Sequence, residues 1–274
     1  MDRYAVVGHP VAHSKSPFIH ARFAEQTGAE LEYGLMDVAP EDFTQAVKSF
    51  FDAGGCGLNI TLPHKQRAWE LSDWRSDGAE RSEAVNTLFC DDDGRLRGHN
   101  TDGIGLVRDI TGNHGGRIKG QHLLLLGAGG AVRGVIPALL AQKPASICIA
   151  NRTVEKAESL VRHFAGPIAM QATHYDELAG RQFDLLINGT SAGLDGKVPA
   201  LPEGILADSA WCYDMVYGRG QTPFQAWAMD QGAEQAIDGC GMLVEQAAQS
   251  FYIWRGVMPN TAGVITALRQ TLQH

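Results

Sequence analysis

The chain has 274 residues, a net charge of −8, 44% hydrophobic and 20% charged residues, the balance of a soluble globular protein long enough for two ordinary domains. No segment concentrates Lys or Arg, which argues against a nucleic-acid or anionic-membrane surface as the main partner and leaves room for a local cationic site for a small anion. The apolar run before His9 and Pro10 is too short for a secretion signal, no stretch approaches a bilayer span, and the cysteines at Cys56, Cys90, Cys148, Cys212 and Cys240 form no C-x-x-C pair, so they read as buried free thiols of a reducing cytoplasm.

In chain order, Tyr4–Gly8 reads as a short apolar strand. Ser16-Pro17 reads as a helix start, with Ser16 as N-cap and proline at the first helical position, and that helix should end near Gly28. Leu31–Val38 reads as a strand, and Pro40–Ala53 as an amphipathic helix closed by Gly54-Gly55. Cys56–Thr61 is another strand, leading through Pro63 into a helix over Lys65–Leu71. Asn86–Cys90 and Arg95–Gly98 flank an acidic turn ending in Asp93-Gly94, a hairpin signal. Asp91-Asp92-Asp93 lacks calcium-loop spacing and reads as a solvated turn. The histidines show neither H-E-x-x-H nor finger spacing, so no metal site is expected.

Ile104–Ile110 reads as helical, followed by a polar, glycine-rich stretch over Thr111–Gly120. His122–Leu126 then reads as a buried parallel strand running into the turn Gly127-Ala128-Gly129-Gly130-Ala131. Such a turn lets backbone N–H groups approach a pyrophosphate at the start of the next helix. Gly127 and Gly129 match the first two glycines of the dinucleotide fingerprint, while the third position is Val132. Ser146–Ala150 reads as the neighbouring strand and ends in Asn151, Arg152 and Thr153. A site for NAD usually carries Asp or Glu there for the ribose 2′-hydroxyl. A carboxylate would repel a 2′-phosphate, whereas a guanidinium grips one, so the expected cofactor is NADP. The plain alternatives are a ligand-free strand-to-helix turn and a solvated Arg152 at a helix start.

Further strands are expected at Phe183–Asn188 and Trp211–Val216. Alternating strands and helices imply an α/β fold with a doubly wound parallel sheet. After Gly239 come two helices, Met242–Trp254 and Thr261–Gln273, expected to return to the first domain. The expected organisation is an N-terminal α/β substrate domain of residues 1–102 plus 239–274, and a Rossmann-like NADP domain of residues 103–238, with a cleft between them. Gly103–Gly105 and Gly239–Gly241 would permit movement at the joins.

Four clusters carry chemistry: Ser14-Lys15-Ser16, Asn59–Lys65, Val85-Asn86 and Asn100–Gly103. Each follows or ends a strand-like segment, where open sheets bind ligands. Their hydroxyls, amides, one ammonium and one carboxylate suit a small polyhydroxylated acid better than an apolar ligand. Singly, each has a bland reading. Lys65 is a solvated charge, Asn86 pairs with backbone, Asp102 caps a helix from Gly103, and Met215 and Tyr217 pack in the sheet.

The ordered set S-K-S-P, N-I-T-x-P-x-K, A-V-N-T, G-x-N-T-D-G, G-A-G-G-A, N-R-T and N-x-T-S spans nearly the whole chain and resembles the shikimate dehydrogenase family, in its NADP-dependent biosynthetic form. The resemblance implies a cytoplasmic oxidoreductase that reversibly reduces 3-dehydroshikimate to shikimate with NADPH, in chorismate and aromatic amino acid biosynthesis. It implies Lys65 and Asp102 as the catalytic pair. Ser14 and Ser16 would hold the substrate carboxylate, Thr61, Asn86 and Asp102 the ring hydroxyls, and Tyr217 and Gln246 would add further substrate contacts. Gly127, Ala128, Gly129, Gly130, Ala131, Asn151, Arg152, Thr153, Met215 and Gly239 would line the cofactor site, while Asp77 reads better as an acidic surface residue. The implied partners are small molecules, with no nucleic acid or membrane, and a homodimer is allowed. Two competing readings stay open: a quinate/shikimate dehydrogenase of broader specificity, and a non-catalytic dinucleotide-binding sensor.

Overall fold

The apolar runs Tyr4–Val7 and Leu123–Leu126 are buried on both faces, and each becomes a central strand of its own sheet. The computed structural model describes residues 1–190 and 197–273. The chain divides into two compact units, unit 1 of Met1–Gly105 with Leu243–Leu268 and unit 2 of Leu106–Met242 with Arg269–His274.

In unit 1, β1 (Asp2–Gly8) lies between β2 (Leu31–Asp37) and β3 (Gly55–Ile60), parallel to both. Beyond β3 the direction changes. The hairpin of β5 (Thr87–Cys90) and β6 (Leu96–His99) pairs antiparallel to β3 through β5, and β4 (Trp74–Arg75) closes the order β2-β1-β3-β5-β6-β4. This sheet is therefore mixed, because a tight turn can join only antiparallel neighbours. One face packs Ala5, Val7, Leu58 and Ile60 against Phe43 and Val47 of α2 (Phe43–Asp52) and Ala68 of α3 (Lys65–Leu71). Rings from α1 (Ser16–Thr27) and α9 (Cys240–Arg255) gather at Tyr4, with Trp254 on Tyr4 at 4.8 Å and Phe23 edge-on to Phe251 at 5.7 Å.

Local details depart from the sequence reading. The cap of α1 is Lys15, not Ser16; Ser16 is the first helical residue, and the Ser14 hydroxyl accepts its N–H at 3.3 Å. Pro40–Asp42 is a separate 3₁₀ turn, so α2 starts at Phe43, and Gly55 belongs to β3. Strands β4, β9 (Ala169–Thr173) and β12 (Gln235–Asp238) and helices α4 (Asp77–Ser82) and α8 (Pro223–Asp230) were not read from the sequence. The strands are short and lie at sheet edges, where one partner's hydrogen bonds rather than an apolar run create them.

Unit 2 holds β7 (His122–Leu126), β8 (Ser146–Ala150), β9, β10 (Phe183–Asn188), β11 (Leu206–Asp214) and β12, all parallel, in the order β12-β11-β10-β7-β8-β9. Strand β11 begins five residues before the expected Trp211, and Met215 and Val216 lie beyond its end. The four consecutive leucines of β7 split by strand alternation. Leu123 and Leu125 face Val132, Val135 and Ile136 of α6 (Gly130–Ala141), whereas Leu124 and Leu126 join Leu186, Cys212 and Phe224 on the other face. Helix α5 (Asp102–Arg108) continues into a π-helical turn, Asp109–Asn113, in place of the predicted polar loop start. Helix α7 (Val154–His163) follows β8, and α10 (Ala262–Gln273) ends the chain. Of the cysteines, Cys148, Cys212 and Cys240 are buried, Cys56 is half-buried, and Cys90 is exposed at the hairpin, so the expectation of burial fails there.

His20 of α1 is fully buried and stacks on Tyr33, ring centres 4.2 Å apart. Desolvation pushes its imidazole down to about 3, against a smaller opposing contribution from Asn59. An unfolded histidine takes up its proton near 6.5, so stability from this neutral ring is complete above pH 6.5 and falls as the pH drops towards 3. The loss should reach roughly 2 kcal/mol between pH 6.5 and pH 5. Urea unfolding at pH 7 and pH 5 should show His20→Phe losing less by that amount than wild type; equal losses would clear His20 of the acid sensitivity.

Candidate active site

Lys65 opens α3 and Asp102 opens α5, two helices reached from different strands of unit 1. Their side chains meet, with Lys65 Nζ donating to Asp102 Oδ2 at 2.5 Å. Side-chain exposure is 23% for Lys65 and 9% for Asp102, so the carboxylate is nearly removed from water while the ammonium keeps an open side. Asn86, buried at the entry to β5, donates through Nδ2 to Asp102 Oδ1 at 2.8 Å. Both oxygens of the carboxylate are thus engaged, one by an amide and one by a cation. An ammonium has three donors, so Lys65 retains hydrogens for a ligand.

Neighbouring groups hold this arrangement. Asn100 Oδ1 accepts the Asp102 N–H at 3.0 Å while its Nδ2 donates to Ser82 Oγ at 2.9 Å, which pins the start of α5. The plain reading of Asp102 as a helix cap is therefore filled by Asn100. His64, just before Lys65, is buried against Phe43 and donates from Nε2 to Val38 O at 2.8 Å, anchoring the start of α3. The sequence reading missed His64, whose only signal was its place inside the Asn59–Lys65 cluster.

The other predicted substrate residues of unit 1 lie on several elements. Ser14 and Ser16, in the loop after β1 and at the start of α1, have hydroxyls 3.2 Å apart. Thr61 follows β3, with its N–H on Val7 O at 2.9 Å. Gln246 of α9 presents Oε1 to Asn86 Nδ2 at 3.3 Å. The structure thus joins Lys65, Asp102, Asn86 and Gln246 by direct hydrogen bonds, and Ser14 with Ser16 as a separate pair. Tyr217 lies in unit 2 beyond β11, where burial pushes its phenol up. Asp77, at the first position of α4, is exposed.

In unit 2 the predicted cofactor residues gather at the carboxyl ends of the strands. The order of the sheet reverses between β7 and β10, the switch point where doubly wound sheets bind ligands. Gly127 follows β7 with φ +100°, a conformation that suits glycine, and its N–H reaches Ala150 O at 2.8 Å. Gly129 is the N-cap of α6, and a Cβ built on Gly129 or Gly130 would meet nothing within 4 Å. The turn is therefore open above, with the first N–H groups of α6 unpaired within the helix. Ala128 is half-buried and Ala131 exposed beside it.

At the end of β8, Asn151 Nδ2 donates to Thr153 O at 2.7 Å and braces the turn that projects Arg152. Arg152 is exposed and has no hydrogen-bond or ion-pair partner among the described residues. An exposed cation with no hydrogen-bond or ion-pair partner among the described residues, at the strand end next to the one carrying the open glycine turn, fits a nucleotide phosphate. Met215 N donates to Asn188 O at 2.9 Å, and Gly239 N to Val216 O at 3.1 Å. A Cβ on Gly239 would lie 2.4 Å from Met215 O, and one on Gly241 1.9 Å from Asp109 Oδ1. Close packing thus accounts for these two glycines.

One network here was not foreseen. Buried Asp214 accepts from Asn188 Nδ2 at 3.0 Å, Thr222 Oγ1 at 2.6 Å and Val216 N at 3.1 Å, while Asn188 Oδ1 accepts from Thr190 Oγ1 at 2.7 Å. Burial pushes the Asp214 carboxyl up despite these bonds. It fastens the residues after β10 and β11, including Met215. The N-x-T-S motif was the available signal, although its Ser191 lies outside the described residues. Among the described residues no cluster of His, Cys, Asp and Glu could hold a metal ion, and no helix is long and apolar enough to cross a membrane.

Three family matches cover most of the chain: shikimate dehydrogenase substrate binding domain over residues 6–88, shikimate / quinate 5-dehydrogenase over 109–194, and shikimate 5′-dehydrogenase C-terminal domain over 239–269. A shikimate dehydrogenase (NADP(+)) of Alkalilimnicola ehrlichii is 58% identical over 268 residues, 98% of each chain. The crystal structure of an Ael1 enzyme from Pseudomonas putida superposes with a TM-score of 0.92 at 45% identity, covering 98% of both chains. Shikimate 5-dehydrogenase from Thermus thermophilus, solved in complex with NADP(H) and shikimate, gives a TM-score of 0.88 at 35% identity over 99% of this chain and 100% of its own. With both strand-end sites present and similarity running from end to end, this chain belongs to the shikimate dehydrogenase family.

Proposed function

We propose that this protein reversibly reduces 3-dehydroshikimate to shikimate with NADPH, as a cytoplasmic step of chorismate and aromatic amino acid biosynthesis. The carrying observation is the Lys65 ammonium held 2.5 Å from a carboxylate whose other oxygen is already bonded. In this reading residues 1–102 with 239–274 form the substrate domain, and residues 103–238 form the NADP domain.

Reduction of a ketone needs a hydride at carbon and a proton at oxygen. Bound NADPH supplies the hydride. Lys65 stabilises the developing oxyanion at C3 with its charge and then gives it a proton; in the reverse direction it takes that proton back. Asp102 and Asn86 keep the amine in place through the step. The Ser14 and Ser16 hydroxyls donate to the substrate carboxylate, Thr61, Asn86 and Asp102 meet the ring hydroxyls, and Gln246 and Tyr217 complete the contacts. The Gly127–Ala131 turn offers backbone N–H groups to the pyrophosphate, and Arg152, with Asn151 and Thr153, receives the 2′-phosphate. Met215 and Gly239 line the rest of the cofactor site. An exposed free Cys90 accords with a reducing compartment.

Loss of NADPH absorbance with 3-dehydroshikimate, compared with NADH and with quinate in the reverse direction, tests the activity directly. Lys65→Ala should lower kcat by about 10²–10⁴ with shikimate affinity changed only a few-fold; kcat within a few-fold of wild type would remove Lys65 from the chemistry. Arg152→Ala should weaken NADPH binding roughly ten- to hundredfold, the factor of one charge-assisted contact, and leave NADH unchanged. Calorimetric titration reads both, and equal losses for the two cofactors would refute a 2′-phosphate contact.

A further inference from the structure

Behind the proposed substrate residues of unit 1 lies a line of polar side chains, most of them buried, that ends on Asn86 and whose other members no step of the mechanism uses. It starts at Tyr33 of β2, whose phenol stacks on His20 and donates to Asn59 Oδ1 at 2.6 Å. With its oxygen so engaged, the Asn59 amide turns its nitrogen to Ser250 Oγ at 3.0 Å and to Asn86 O at 3.2 Å. Ser250 lies 2.7 Å from Thr87 Oγ1, nearer than Gln246 O at 3.1 Å and Thr101 Oγ1 at 3.3 Å. Thr87 in turn donates to Asn86 Oδ1 at 2.9 Å. Asn59, Thr87, Ser250 and Asn86 are all buried.

The hydroxyls allow one continuous direction, with Ser250 and Thr87 each both accepting and donating: Tyr33 to Asn59, Asn59 to Ser250, Ser250 to Thr87, Thr87 to Asn86, and Asn86 to Asp102 at 2.8 Å. Direction matters at Asn86. An amide can sit in two flipped orientations, and only donors on its oxygen turn its nitrogen towards a carboxylate. Asn86 Oδ1 has three such donors, the Thr87 hydroxyl and the Thr101 N–H at 2.9 Å and the Thr101 hydroxyl at 3.2 Å. Buried networks of this kind are stiff when every member is satisfied and costly when one is not.

We propose that Tyr33 and Thr87 are positioning residues, acting through Asn59, Ser250 and Asn86 to hold the carboxylate of the Lys65–Asp102 pair in place. This rests on the dehydrogenase reading above and adds to it residues that do not touch substrate. The relay carries a constraint set at β2 and β3 to the orientation of Asp102.

The test is steady-state reduction of 3-dehydroshikimate by NADPH, with thermal unfolding of each variant. Thr87→Val should lower kcat about tenfold, the factor of one neutral hydrogen bond, with KM for 3-dehydroshikimate within about twofold. Thr87→Ser, which keeps the hydroxyl, should restore kcat to within about twofold of wild type. Tyr33→Phe, at the far end of the relay, should also lower kcat with that KM within about twofold, and the double variant should lose less kcat/KM than the product of the single losses. A Thr87→Ser variant as poor as Thr87→Val, or single losses that multiply, would overturn the relay. If Thr87→Val does not fold, Ser250→Ala must show the kcat loss in its place, and a kcat within twofold of wild type overturns the relay equally. Wild-type protein inactive with 3-dehydroshikimate would overturn the functional reading and the relay's role in it, whereas an active wild type with an unimpaired Thr87→Val overturns the relay alone.

Discussion

A carboxylate almost shut away from water has to find its hydrogen bonds in the protein, and the interior of unit 1 is arranged around that need at Asp102. Leaving one oxygen of a buried carboxylate unpaired costs its full desolvation. Asn86 takes one oxygen and Lys65 the other. Because Asn86 is itself buried, its own oxygen needs donors, which Thr101 and Thr87 provide. The demand spreads outwards through Ser250 and Asn59 to Tyr33. One buried charge thus recruits polar side chains from β2, β3, β5, α3 and α9, and its cation is left with the open side where a ligand can use it.

Unit 2 meets the same constraint in a different way. Its parallel sheet leaves every strand end on one edge, so the residues that follow the strands form the site without belonging to the sheet. Asp214 and Asn188 tie the ends of β11 and β10 together by a buried hydrogen bond. Asp109 is a second fully buried carboxylate, bonded by the Tyr213 hydroxyl at 2.6 Å and Asn113 Nδ2 at 2.8 Å. Burial and the Asp109 charge both push the Tyr213 phenol up, keeping it a neutral donor. The glycine turn after β7 stands apart from these knots. It is the part left open, as a backbone cradle for an anion must be.

Interactions close in sequence or periodic in pattern were legible from the chain alone. The alternation of strands and helices, the glycine turn after four leucines, the Asn151-Arg152-Thr153 strand end, and the helix starting at Lys65 all follow from local rules about pleat, turn and cap. The misreadings were local too, and each had a competing neighbour. Ser16 lost the cap position to Lys15 because Ser14 supplies the hydroxyl to its N–H. Edge strands β4, β9 and β12 exist through their partners' hydrogen bonds and carry too little apolar pattern to announce themselves.

By itself the sequence determined the layered α/β class, the mixture of ammonium, carboxylate, amide and hydroxyl groups at strand ends, and the cationic strand end that disfavours NAD. These depend on residue type and short-range order, which the chain carries directly. Only the tertiary structure decided that Lys65 meets Asp102 across 37 positions of sequence, and that Asn59, Thr87 and Ser250 stand between Tyr33 and Asn86. Hydrogen bonds between distant positions leave no period and no motif; they come into being when burial removes water and obliges each polar group to find a partner in the fold.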